Sequence, residues 1–400
     1  VNEQRKITLL VTSESTAISF YPGYAEFLRS KGWNVTIIAS SQGELESSEA
    51  LAGASIHAVP MKRNPSPAHD LRSLYKLLRK LGEISPDVLV FATPKASLLG
   101  SIAGFLLKVP IRSYHLWGLR LETEHGLRRR IFLGLERLTS LLATEVVANS
   151  PSLAAQALKI GASAGRPISV IGAGSGLGVD LEHYSPDAQL PPTDPATRRF
   201  IGDAGGFTIG FVGRIHPDKG IDTLISAASA LSQERSGVRL MLIGAEDGAA
   251  LEKLLCGVPD SLNVHVAGSV SDVRPYYSVM DIHCLPTLRE GFPNVVLEAS
   301  AMGIPTITTD ATGAIDSVLN EKTGYIFPKG DSETLCDRLR RLYDQPELRH
   351  EFGQAARAYV ESSFSRSVLW NLHERHLRKQ HDEIHGTGTG SAYEANGCWP

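Results

Sequence analysis

Cysteine is scarce in this sequence. Four occur in 400 residues (Cys256, Cys284, Cys336, Cys398), far apart and with no CxxC pair, which excludes a disulfide framework and a cysteine zinc site. A chain of this kind suits a reducing compartment, and the expected localisation is cytoplasmic. Long apolar runs are lacking too. The longest, Ala96 to Leu107, falls well short of the roughly 20 residues that cross a bilayer. The run that follows the polar residues Val1 to Lys6 is too short for the core of a signal peptide. There is no dense basic stripe, which sets nucleic acid aside as a partner.

What is present is enough apolar material for two cores: 42% of 400 residues is more than one typical domain packs. The net charge of -3 is unevenly spread, because residues 1–185 carry 20 Lys and Arg against 15 Asp and Glu, leaving the second half acidic. Short Val/Ile/Leu runs at Ile7 to Val11, Val35 to Ala39, Val88 to Ala92, Glu145 to Ala148 and Ile168 to Ile171 have the character of strands buried on both faces. Helical patterns lie between them, as at Leu71 to Leu81, Ala96 to Leu107 and Leu127 to Leu142. Strand and helix in alternation predict an α/β, doubly wound parallel sheet.

The segment 186–200, rich in Pro, Asp and Thr, is expected to link two such units. Alternation then restarts at Phe207 to Val212, Leu240 to Ile243, Val264 to Ala267, Ile282 to Leu285 and Thr306 to Thr308. The expected organisation is a first domain over 1–185, a second over 201–365, a helix over 366–383 packing back on the first domain, and a disordered tail over 384–400. The Gly-rich run Gly172 to Gly178 lacks the third glycine of a dinucleotide loop and is expected to be a flexible turn. Along Leu127 to Leu142, helical spacing puts Leu127, Ile131, Leu135, Leu138 and Leu142 on one face, expected to be core. Arg130, Leu133 and Arg137 fall on another.

Two segments carry chemistry. In Arg289-Glu290-Gly291-Phe292-Pro293-Asn294-Val295-Val296-Leu297-Glu298 a buried strand gives way to an apolar helix. Pro293 suits a helix start, and the free amides there attract an anion such as a diphosphate. Glu290 would face the group on the distal phosphate, and Glu298 the group on the proximal one. The second segment, Gly213-Arg214-Ile215-His216-Pro217-Asp218-Lys219-Gly220, leaves the carboxyl end of a strand, where ligands bind in open α/β sheets. Arg214 can fork two phosphate oxygens and Lys219 supplies a point charge. Each pattern alone also fits ordinary surface charges.

Taken together the two segments, with Ala301-Met302-Gly303-Ile304-Pro305, resemble the retaining glycosyltransferases of family 4, which have the GT-B fold of two Rossmann-like domains facing a cleft. Thr93-Pro94-Lys95-Ala96, Trp117 to Glu122 and Gly178-Val179-Asp180 are similar to the capsular and exopolysaccharide branch. The resemblance implies a UDP-sugar donor held by Gly213, Arg214, Lys219, Gly244, Gly268, Glu290, Gly291, Phe292, Pro293, Asn294, Val295 and Glu298. Within that set Arg214 and Lys219 take the diphosphate, Glu290 the sugar hydroxyls, Glu298 the ribose, and Gly244 and Gly268 wall the base. It also implies a histidine near the reacting sugar, for which His115 is the nearest candidate. Arg214, Lys219, Glu290 and His115 are thus the expected catalytic set, with no metal and no cofactor beyond the donor.

The chain departs from the family in Thr12 to Thr16, where glycines are common, and at Leu177, where asparagine is. The basic first half, the Arg128 to Arg137 face and the branch resemblance together point to a lipid-linked saccharide acceptor of the undecaprenyl diphosphate type, met by peripheral contact with an anionic membrane. The alternatives are an enzyme of the UDP-GlcNAc 2-epimerase type and a non-catalytic nucleotide-sugar-binding protein.

Overall fold

The structure is a computed structural model that describes residues 5–62, 64–202, 205–247 and 251–386. The first sheet holds β1 (Arg5–Ser13), β2 (Trp33–Ser40), β3 (Ser55–Ala58), β4 (Val88–Ala92), β5 (Ile111–Leu116), β6 (Glu145–Ala148) and β7 (Ile168–Val170). Its order is β3-β2-β1-β4-β5-β6-β7, with every pairing parallel. The second holds β8 (Phe207–Val212), β9 (Val238–Ile243), β10 (Asn263–Gly268), β11 (Ile282–Leu285), β12 (Thr306–Thr309) and β13 (Gly324–Phe327). It repeats the pattern as β10-β9-β8-β11-β12-β13, again parallel.

Helices cover both faces of each sheet, so the central strands are buried on both sides. All five residues of β4 and all six of β8 are buried. Alternation of side chains splits the first domain's core in two: Leu10 and Phe91 pack on one face, Leu9, Val11 and Val90 on the other. In both sheets the chain order reverses beside the first strand, between β1 and β4 and between β8 and β11. A crevice opens at the carboxyl ends of the strands at each such point.

Two stretches of chain run side by side between the domains. The Val179 N–H donates to the Phe364 carbonyl (2.9 Å), and the Arg366 N–H to the Val179 carbonyl (3.0 Å). A Cβ at Gly178 would come within 2.4 Å of the Phe364 oxygen, and one at Gly174 within 2.4 Å of the Asn149 oxygen. These glycines therefore allow close backbone contact, and the expected flexible turn is packed. Within 186–200, Asp194 caps a helix, Pro195–Ile201, whose Phe200 packs on the second domain.

The last helix, Arg366–His385, returns to the first domain. There Trp33 Nε1 donates to Glu374 Oε1 (3.2 Å), His376 Nε2 meets Glu145 Oε2 (2.8 Å), and Arg378 Nη2 donates to the Lys31 carbonyl (3.0 Å). Of the tail expected to be disordered, residues 387–400 lie outside the described residues.

One expectation is overturned. On the helix Gly126–Leu142, the face expected to be core is turned outward: Leu127 is 72% and Ile131 52% exposed, and Leu135 and Leu138 are exposed as well. Phe132 and Leu133 pack inward instead, with Thr139 and Ser140 buried. Small polar residues thus face the sheet on that side, and the larger stripe is exposed.

Candidate active site

The two crevices face each other across a cavity of about 1590 Å³, with Thr12, Thr93 and His115 on the first-domain side and Arg214, Asp218 and Arg289 on the second. On the second side, β8 ends in Gly213, whose φ of 148° turns the chain sharply into Arg214. The β9 end packs directly beneath it. A Cβ on Gly244 would sit 1.8 Å from the Gly213 oxygen, so glycine is required there by the backbone itself. Gly268 has φ of 69° and open space where its Cβ would be.

Each cation of the Gly213 to Gly220 segment is already held by a carboxylate. Arg214 pairs with Asp247 (2.5 Å). Lys219 pairs with Glu290, both largely enclosed at 14% and 16% exposure. Buried Asp218 takes Arg289 (2.7 Å) and His216 Nδ1 (2.6 Å), and the cations around it hold its carboxyl below the usual range against burial. The Lys219–Gly220 turn lies so close over the loop after β11 that a Cβ on Gly220 would be 2.1 Å from the Pro286 oxygen. Sequence reasoning chose Arg214, Lys219 and Glu290 but missed Asp218, Asp247 and Arg289. The signal for the first and last lay inside the quoted segments, where a carboxylate and a cation stood unassigned.

The helix Asn294–Ala301 opens at Pro293, and Phe292 behind it packs on Phe364 and Leu297. Glu298 is enclosed by Tyr184 and by Tyr277, whose hydroxyl donates to it (3.1 Å). Burial pushes its carboxyl up to about 7. A carboxyl whose pKa burial raises, next to two phenols, is suited to sharing hydrogen bonds with hydroxyl groups of a ligand.

Glu290 and Gly291 also form the contact between the domains. A Cβ on Gly291 would lie 2.0 Å from the Trp117 oxygen, in the loop that leaves β5 just after His115. Around it Thr312 Oγ1 donates to Glu122 Oε1 (2.7 Å), Arg289 Nε to Thr123 Oγ1 (3.1 Å), and the Gly313 N–H to Ser152 Oγ (2.8 Å). These polar contacts across the cleft were not legible in the sequence, since each joins residues more than 150 positions apart.

The first-domain side combines hydroxyls with charged groups, Thr12 and Thr93 alongside Glu14, Lys95, Arg120 and Glu124. Thr12 and Thr93 hydroxyls meet at 2.7 Å at the crevice, and Thr93 holds a φ of 68°, unusual for a β-branched residue. Tyr114 donates to Glu136 (2.5 Å), whose carboxyl burial raises to about 7. His115 ends β5, is 9% exposed, and is kept neutral by burial, which lowers it to about 4. Among the described residues no group of three or more His, Cys, Asp or Glu side chains is placed to hold a metal ion.

Comparison with known proteins places this arrangement. Residues 206–345 match the family model of glycosyl transferases group 1, and residues 22–174 that of a glycosyl transferase 4-like domain. The chain is 35% identical to the capsular polysaccharide biosynthesis glycosyltransferase CapM of Staphylococcus aureus, over 92% of this chain and 95% of that one. It is 22% identical to the putative glycosyltransferase EpsD of Bacillus subtilis, over 88% and 91%. Among solved structures, Anabaena Alr3699/HepE in complex with UDP and glucose superposes with a TM-score of 0.74 at 20% identity, over 94% of this chain and 100% of that one. WaaG, a glycosyltransferase involved in lipopolysaccharide biosynthesis, gives 0.67 at 18%, over 95% and 100%. The fold is GT-B.

Proposed function

The chain belongs to the glycosyl transferases of group 1, and on that premise we propose that it transfers a hexose or N-acetylhexosamine from a UDP-sugar to a lipid-linked saccharide. The transfer retains anomeric configuration, needs no metal ion, and serves the assembly of a cell-surface polysaccharide. The observation that carries this reading is the cluster of paired cations at the carboxyl ends of β8 and β11, opposite a hydroxyl-lined crevice. A departing nucleoside diphosphate gains charge as its bond to the sugar breaks. Arg214, Lys219 and the amides that open the helix Asn294–Ala301 stabilise that charge where it forms. Protein cations then fill the role a divalent metal fills elsewhere. An acceptor hydroxyl entering on the face the diphosphate leaves gives retention.

The choice of UDP is supported by the nucleotide bound to the Anabaena neighbour, and the polysaccharide by the capsular relative. The lipid is supported by the outward stripe of Leu127, Ile131, Leu135 and Leu138 beside exposed Arg128, Arg129 and Arg130. Apolar side chains entering the headgroup region, with arginines on anionic lipid, suit a helix lying on a membrane. That helix starts two residues after Glu124, which lines the cleft, so a lipid-borne acceptor would enter at this rim.

The test is a panel of nucleotide sugars supplied with membrane extract, with and without EDTA, scored for free diphosphate and for a new glycosidic bond. Release of UDP with a bond of retained configuration, unaffected by EDTA, is the expected result. An epimerised sugar with no new bond would refute transfer. Loss of turnover with EDTA, restored by Mg²⁺ or Mn²⁺, would refute the role given to the cations.

A further inference from the structure

Behind His115, on the side away from the cleft, lies a separate cavity of about 20 Å³. Its walls include His115, Trp117 and His373, with Tyr21, Tyr24 and Leu177. His115 and Trp117, but not His373, also line the main cleft. Three buried polar atoms at this place have no hydrogen-bond partner: His115 Nε2, His373 Nε2 and Trp117 Nε1. His373, 3% exposed, comes from the last helix, and its ring centroid is 5.8 Å from that of His115.

Orphaned buried polar atoms are costly, and three of them around a space large enough for one water is the usual setting of a structural water. The separation of the two rings suits a bridge of two hydrogen bonds of about 2.9 Å each. We propose that one buried water joins His373 to His115 and makes His373 a positioning residue that sets the tautomer of His115. Trp117 Nε1 can only donate, so the water accepts from it and donates to both Nε2 atoms. The proton of each neutral imidazole is then on Nδ1. His115 thus keeps a fixed N–H donor on Nδ1 for a sugar or acceptor oxygen, and the partner of its other nitrogen decides this. Burial keeps both rings neutral, lowering His115 to about 4 and His373 to about 3. The nearby carboxylate, Glu145, has its Oε2 engaged by His376 and Gln380, while its Oε1 has no hydrogen-bond partner and its charge opposes the effect of burial on His115. Because His373 lies on the helix that follows the Val179/Ser365 crossing, docking of that helix is linked to the state of His115.

The role of this N–H in turnover rests on the transferase reading above, whereas the tautomer itself does not. The experiment is therefore spectroscopic first. Two-bond ¹H–¹⁵N correlation on ¹⁵N-histidine-labelled protein at neutral pH, with His115 assigned by loss of its signals in His115→Asn, reports the tautomer directly. We expect the Nδ1–H form in the parent and in His373→Gln, whose amide can accept from the same water. His373→Leu, which fills the cavity, should give a mixture or the Nε2–H form, and turnover lower by about tenfold at unchanged donor KM, the worth of one well-placed hydrogen bond. Nε2–H in the parent, or an unchanged tautomer in His373→Leu, overturns the proposal. A shifted tautomer with unchanged turnover supports the relay and refutes instead the placement of His115 at the reacting sugar.

Discussion

The two sides of the cleft are built differently. On the second-domain side Arg214, Lys219 and Arg289 each rest on a carboxylate before any anion arrives. Such pairs hold long side chains in place, and a diphosphate then exchanges with the carboxylates at little cost in side-chain entropy. On the first-domain side the hydroxyls of Thr12 and Thr93, neutral His115 and the Tyr114–Glu136 pair stand among charged Glu14, Lys95, Arg120 and Glu124. The second-domain side thus concentrates paired cations, whereas the first-domain side mixes hydroxyls with scattered charges.

The sharpest way to break this comparison is to remove a cation that faces growing charge. Arg214→Ala should lower turnover by about 10² to 10³ and weaken UDP binding. Glu290→Gln should also cut turnover, but it frees Lys219 from its counter-ion, so UDP affinity should hold or rise. Calorimetry with UDP beside a turnover assay separates them, and equal loss of affinity in both would make Glu290 structural.

A smaller effect should follow from separating the two sides without touching either. A side chain at Gly291 collides with the Trp117 backbone. Gly291→Val should therefore open the cleft, with turnover lower by about ten- to a hundredfold while the second domain still binds UDP. Scattering with UDP bound should give a larger radius of gyration than the parent, and an unchanged radius would mean the domains do not meet there in solution.

The outward helix tests whether the first-domain side works at a surface. Leu127→Glu with Ile131→Glu should abolish sedimentation with liposomes containing anionic lipid at low salt. Turnover on a water-soluble acceptor should change by less than about twofold, since exposed substitutions seldom disturb folding. Equal sedimentation of parent and variant would sink the membrane assignment.

The smallest effect is on stability. A histidine that burial holds below its free value of 6.5 binds its proton more readily when the chain unfolds. Its stabilising effect is therefore complete above that value and is lost as pH falls from about 6.5 towards about 3, the value of folded His373. Relative to His373→Leu, the parent should lose about 1 to 3 kcal/mol on going from pH 7 to 4. Melting temperatures of the two across that range provide the check. Parallel curves would mean that His373 is protonated or solvated in the folded chain.

Much of this protein was settled locally. Uniform apolar runs marked β4 and β8 because both faces of a parallel sheet are covered. β3 and β13 went unmarked as short edge strands, and β5 because Arg112, Ser113 and His115 interrupt it. Arg214, Lys219, Glu290 and Glu298 were picked out because strand ends and helix starts are where such residues meet ligands, and both features leave a trace within ten residues of sequence. Tertiary structure alone decided which carboxylate holds which cation, that Gly291 packs on Trp117, and that His373 lies behind His115, since those partners are far apart in the chain. It also decided the fate of the Leu127 to Leu138 stripe. Periodicity reports that a helix has an apolar side, and only the packing around it shows whether that side meets the core or is turned outward.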